Sequence, residues 1–79
     1  MTLDPTVRAF LEAVDEGEAH RDLNEPKLTR ARTQVVPQQV VDAAGDLVRL
    51  DWTQAGHFDV PYVLTDSGRK VINRERMSL

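Results

Sequence analysis

Seventy-nine residues with 13 acidic and 10 basic side chains give a net charge of −3 and room for one small hydrophobic core. The chain has no cysteine, which excludes a disulfide framework and every thiolate-based zinc, iron-sulfur or nucleophilic site. No apolar run approaches the roughly 18 residues of a membrane span. The stretch Met1-Thr2-Leu3-Asp4-Pro5 lacks the basic and apolar regions of a signal peptide, so a single cytoplasmic domain without membrane contact is expected.

Asp4-Pro5 reads as a helix start, because Asp caps the first free amides and Pro fits the first helical position. Val7, Phe10, Leu11 and Val14 then follow at the spacing of one apolar stripe, with Arg8, Glu12, Asp15 and Glu16 off it. This helix is expected from about residue 5 to somewhere between residues 16 and 21, with Gly17 weakening it. Asn24 is read as the cap of a second helix through Glu25, Pro26 and Lys27, with Leu28, Ala31 and Val35 as its buried positions. Pro37 opens a third, with Val40, Val41 and Ala44 inward and Gly45 as its stop. Two short helices and a tight turn within about 20 residues match a helix-turn-helix.

The periodicity switches at Leu47. Val48, Leu50 and Trp52 alternate with Arg49 and Asp51, and Thr53-Gln54-Ala55-Gly56-His57 reads as a turn. Phe58, Val60, Tyr62 and Leu64 then alternate with Asp59, Pro61 and Val63. A hairpin over residues 47 to 64 is expected, with Val48, Leu50, Phe58, Val60, Tyr62 and Leu64 on its buried face. Pro61 cannot donate to a ladder, so its nitrogen belongs at an edge or a bulge. Thr65 or Asp66 caps a last helix that turns Val71 and Ile72 inward and Arg69, Lys70, Arg74 and Arg76 outward.

The segment Val41-Asp42-Ala43-Ala44-Gly45-Asp46-Leu47-Val48-Arg49-Leu50 resembles the end of the recognition helix and the start of the wing in MarR-like and PadR-like regulators, with Asp46 as an inserted residue. Tyr62-Val63-Leu64-Thr65-Asp66-Ser67-Gly68-Arg69-Lys70-Val71-Ile72 resembles the end of the wing in the same families. The resemblance covers about residues 38 to 74. It implies a mainly α, α+β winged helix-turn-helix domain spanning residues 1 to 79, with three helices, a two-stranded wing and a short C-terminal helix.

Winged helices that bind DNA set the third helix in the major groove and lay the wing along the backbone. The resemblance therefore implies double-stranded DNA as partner and transcriptional regulation in a bacterium or phage as the setting. Candidate DNA contacts are Lys27, with Arg30, Arg32, Thr33 and Gln34 around the turn, Gln38 and Gln39 on the first turn of the third helix, and Gln54 and His57 in the wing. Charge is distributed to match in part. Residues 27 to 39 carry three bases and no acid, and residues 67 to 79 four bases against one acid, whereas residues 1 to 26 carry seven acids against two bases. Asp42, Asp51 and Asp59 count against a phosphate-facing surface.

Nothing in the sequence assembles a catalytic or metal site, and no cofactor is implied. His20 and His57 lie in different elements without a serine nucleophile at usable spacing, and no phosphate-cradling glycine loop occurs. Two functions follow: a small DNA-binding regulator, in which homodimerisation strengthens a weak half-site, or a protein-interaction module with weak or no DNA binding, in which the acidic first helix and the wing meet a partner.

Overall fold

Asp4 and Pro5 start α1 (Pro5–Asp15) as their chemistry demands: the Asp4 carboxylate accepts a hydrogen bond from the Thr6 amide at 2.8 Å, and Pro5 occupies the first turn. The helix buries Val7, Phe10, Leu11, Ala13 and Val14. It stops earlier than its pattern suggests, because Gly17 turns the chain with φ of 76°.

In the computed structural model, which describes residues 3–77, α1 is followed by β1 (Ala19–Asp22), β2 (Thr29–Ala31), β3 (Gln34–Val36), α2 (Gln38–Ala44), β4 (Val48–Leu50), β5 (Asp59–Leu64) and α3 (Asp66–Met77). Single 3₁₀ turns lie at Gly45–Leu47 and Trp52–Gln54. The five strands form one antiparallel sheet in the order β3-β2-β1-β5-β4. Met1 and Thr2, which entered the reading of the N-terminus, lie outside the described residues. None of the described helices is long and apolar enough to cross a membrane.

This architecture overturns the mainly α winged helix-turn-helix expected from the sequence. Residues 24 to 36, expected as the first helix of a helix-turn-helix, instead form a loop and the β2–β3 hairpin, so no helix is joined to α2 by a tight turn before it. Leu28 and Ala31 are only half-buried, and Val35 is 49% exposed, where a helix would have buried all three. In place of a separate two-stranded wing, β5 is shared between β4 on one side and β1 on the other.

The segment 47 to 64 does form an antiparallel pair, with Val48, Val60, Tyr62 and Leu64 buried and Leu50 half-buried. Phe58, expected on its buried face, and Trp52, which continues the alternation of Val48 and Leu50, are 72% and 62% exposed, because the 3₁₀ turn at Trp52–Gln54 carries the chain out of the ladder. Pro61 sits in an interior strand, yet its nitrogen falls where β4 has already ended. The Asp51 amide still donates to the Pro61 carbonyl at 2.9 Å, and the Asp51 carbonyl, denied a Pro61 N–H, accepts from the Gln54 amide at 3.1 Å instead.

All buried strand residues point to the face on which α1 and α3 pack, and the opposite face carries half-buried or exposed His20, Asp22, Arg30, Val35, Pro61, Val63 and Arg49. Phe10 meets Tyr62 edge-on at 5.6 Å, and the buried Tyr62 and Thr29 hydroxyls share a hydrogen bond of 3.0 Å. On α3, Thr65 acts as the cap: its hydroxyl donates to the Asp46 carbonyl at 2.6 Å and accepts from the Gly68 amide at 3.1 Å. Gly68 lies so close to the preceding 3₁₀ turn that a β-carbon there would stand 2.0 Å from the Leu47 carbonyl oxygen.

The stabilities of three variants check this core. Tyr62→Phe leaves the buried Thr29 hydroxyl without its partner and is expected to cost about 1–2 kcal/mol in urea unfolding, against about 3–5 kcal/mol for Phe10→Ala. Gly68→Ala must push α3 off backbone and is expected to cost at least as much as an overpacked core, about 1–3 kcal/mol; a wild-type midpoint in that variant would show that α3 does not dock on Leu47.

Candidate functional site

The residues proposed from the sequence as DNA contacts do not assemble into one surface. Lys27 stands exposed in the β1–β2 loop, and Gln54 and His57 stand in the β4–β5 connection; the two loops are tied at one end of the sheet by a 2.8 Å hydrogen bond from the Leu23 amide to the Phe58 carbonyl. Arg32 and Thr33 form the β2–β3 turn at the other end. Arg30 projects from the open sheet face between them.

Four of the nine side chains are also occupied. The Arg30 guanidinium bonds Asp22 at 2.9 Å, and Arg32 bonds Glu16 at 2.8 Å with Glu18 at 3.6 Å. The hydrogen bond and charge of Arg32 hold the Glu16 carboxyl below the usual glutamate range and raise the Arg32 guanidinium in turn. Gln38 donates to Asp42 at 2.9 Å, and Gln54 donates to Asp51 at 2.8 Å. Thr33, Gln34 and Gln39 are exposed, and His57 sits against Phe58 with ring centroids 6.4 Å apart. The acidic first helix is satisfied in the same way, by Arg8 on Glu12 at 3.4 Å and by Arg76 of α3 on Asp15 at 2.7 Å.

What the fold builds around these residues is a cleft. One wall is the Thr6, Ala9, Phe10 and Ala13 face of α1, and the other is the chain from Ala31 through β3 to Val40; together they enclose about 350 Å³. Ala9 and Ala13 make room that larger side chains on α1 would fill. Arg32, Thr33 and Gln34 sit on its rim, so three of the expected site residues are brought together here, on an apolar hollow.

Along that cleft runs an unpaired strand edge. Hydrogen bonds from the Arg32 amide to the Glu18 carbonyl and from the Asp22 amide to the Leu28 carbonyl, both 2.8 Å, fix the β1–β2 ladder so that Arg30 exchanges its backbone bonds with His20. Ala31 and Thr29 therefore bond to Gln34 and Val36 of β3, and the N–H and C=O of Val35 point outward with no strand beyond them among the described residues.

No family model, curated protein or solved structure matches this chain. Among the described residues no group of three or more His, Asp or Glu side chains is placed to hold a metal ion. Arg21, Lys27, Arg49, Arg69, Lys70 and Arg74 take part in no ion pair among the described residues, and Lys70 and Arg74 flank an open groove on α3 with Asn73 and Met77. The edge and the cleft are what sequence reading missed. The one signal for them was the β-branched pair Val35-Val36 next to Pro37, which suits a strand end better than a helix.

Asp51 is the structural carboxylate of the β4 corner, buried and bonded by the Thr53 hydroxyl at 2.5 Å, the Thr53 amide at 3.2 Å and Gln54 at 2.8 Å. The Thr53 hydrogen bond leads in holding its pKa below the usual aspartate range, against the opposing effect of desolvation. A depressed carboxyl stabilises the fold fully above the unfolded aspartate value, about pH 4, and loses that contribution as pH falls through the lower folded value. Wild-type melting temperature is therefore expected to fall more steeply below about pH 4 than that of Asp51→Asn; parallel curves would show that Asp51 is not held ionised.

Proposed function

We propose that this chain is a protein-interaction module that binds duplex DNA weakly or not at all. The observation that carries this reading is the pairing of both arginines of the expected DNA face with carboxylates of the same chain, Arg30 with Asp22 and Arg32 with Glu16 and Glu18, while the neighbouring hollow is mostly apolar. A guanidinium already matched to an internal carboxylate releases few counterions on meeting a phosphate, because its own charge is compensated. α2 adds no cation, and Asp42 on its surface repels phosphate. An apolar hollow beside free backbone donors and acceptors suits an extended polypeptide that adds as a strand and sets alternate side chains into the hollow.

A second reading has one observation in its favour. Arg69, Lys70 and Arg74 of α3 have no carboxylate partner among the described residues, and Lys70 and Arg74 stand one turn apart on an exposed face. Duplex DNA held by its phosphates along α3 is the function this surface would serve.

Fluorescence anisotropy with random duplex DNA at low and physiological salt separates the two. Binding weaker than the non-specific range of about 10⁻⁴ to 10⁻⁶ M is expected even at low salt. Micromolar binding that weakens steeply with salt, and that disappears in the double variant Lys70→Glu, Arg74→Glu, would replace the module reading by DNA binding through α3.

A further inference from the structure

The two edges of the sheet differ. On β4, the Thr65 amide donates to Leu47 at 3.0 Å and the Asp51 amide to Pro61 at 2.9 Å, so Arg49 spends its backbone groups on β5 and presents its guanidinium on the open face. A second β4 laid antiparallel and centred there would set Arg49 against Arg49, with the acids Asp46 and Asp51 at the flanks. Such charges are how an edge is kept from pairing.

The β3 edge has no such guard. Its residues are Gln34, Val35 and Val36, and Val35 presents one free N–H, one free C=O and a side chain 49% exposed. A residue that offers one donor and one acceptor is complementary to a copy of itself under a two-fold axis, since each N–H then meets the other's C=O. The charges agree with this. The guanidinium groups beside the edge are engaged within the chain, Arg30, which lies opposite Val35, by Asp22, and Arg32 by Glu16 and Glu18, and Gln34, Val35 and Val36 bring no charge of their own, so two chains that each carry a net charge of −3 would meet along an uncharged strand.

We propose that a second copy of this chain occupies the β3 edge, pairing antiparallel with Val35 opposite Val35 to make one continuous ten-stranded sheet. The proposal rests on the protein-module reading and names its partner. Gln34 of one copy lies opposite Val36 of the other, and both project to the helix side, so each copy presents Val36 at the mouth of its partner's cleft. Val35 of the two copies meets on the open face. The short strand limits the ladder to this single exchanged pair, and the contacts at the cleft supply the rest of the interface.

The geometry makes residue 35 face itself, which a charge swap tests. In sedimentation equilibrium at about 100 µM protein, wild type is expected at twice the chain mass of 8.9 kDa. Val35→Lys and Val35→Glu are each expected at the single-chain mass with unchanged circular dichroism, because the side chain stands in solvent. An equimolar mixture of the two is expected to recover the doubled mass, as opposite charges replace like charges across the pair. A wild type that stays monomeric overturns the self-pairing, as does a wild-type dimer that persists in both single variants; in either case strand addition by a different polypeptide is the remaining occupant. The DNA titration judges the underlying reading separately, since a dimer disrupted at residue 35 and tight salt-sensitive DNA binding can be observed independently.

Discussion

Phe10, Tyr62 and Thr29 join three elements through one buried chain of contacts: the rings of Phe10 on α1 and Tyr62 on β5 meet edge to face, and the Tyr62 hydroxyl bonds Thr29 of β2. Strand β1 lies between β5 and β2, so this chain spans the middle of the sheet on its helix side. A hydroxyl pair buried there is costly unless both oxygens are satisfied, and each satisfies the other. With β1 between β2 and β5, the long Tyr62 side chain reaches Thr29 two strands away. The hairpin β2–β3 is thereby held under α1, and the cleft exists because α1 reaches over that hairpin with alanines at two of its positions.

Charge does a different job. The ion pairs of this chain lie mostly at the surface, where each contributes little to stability. Their consequence is for availability. Arg8, Arg30, Arg32 and Arg76 are each matched to a carboxylate from the same chain, and Asp15–Arg76 and Glu16–Arg32 close the C-terminal end of α1 against α3 and the β2–β3 turn. A charge count along the sequence scores the segment 27 to 39 as basic, but the acids that compensate it come from residues 16, 18 and 22 and are invisible in that window. Of the six cations without an ion pair among the described residues, three, Arg69, Lys70 and Arg74, lie on α3.

The misreading of residues 24 to 36 has a local cause. Asn24 followed by Glu25 and Pro26 imitates a helix start, whereas the Glu25–Pro26 peptide is cis and the segment is a loop. The hairpin turn that follows is made by Arg32 and Thr33, with Arg32 at φ of 56°, a conformation for which Gly or Asn is the usual signal. A turn without its characteristic residue cannot be read from the sequence; the tertiary structure supports it through the bonds of Arg32 to Glu16 and Glu18. Leu28, Ala31 and Val35 fit a helical spacing by coincidence, and the edge that Val35 creates was hidden with the strand that carries it.

Elements whose signals are local were legible from the residues. The Asp4-Pro5 start and apolar stripe of α1, the Pro37 to Gly45 limits of α2, the alternation of Val60, Tyr62 and Leu64, and the Thr65 cap with Gly68 behind it each depend on neighbours within about one turn or one strand, and each stands as its residues dictate. The tertiary structure alone decided which strands pair, that Pro61 is tolerated inside a sheet because β4 ends beside it, and that Trp52 and Phe58 face solvent. It also decided which cations remain free and where a strand edge is left open. These outcomes depend on residues far apart in the chain arriving at the same place, and a periodicity, being a property of one segment, carries no information about its partner.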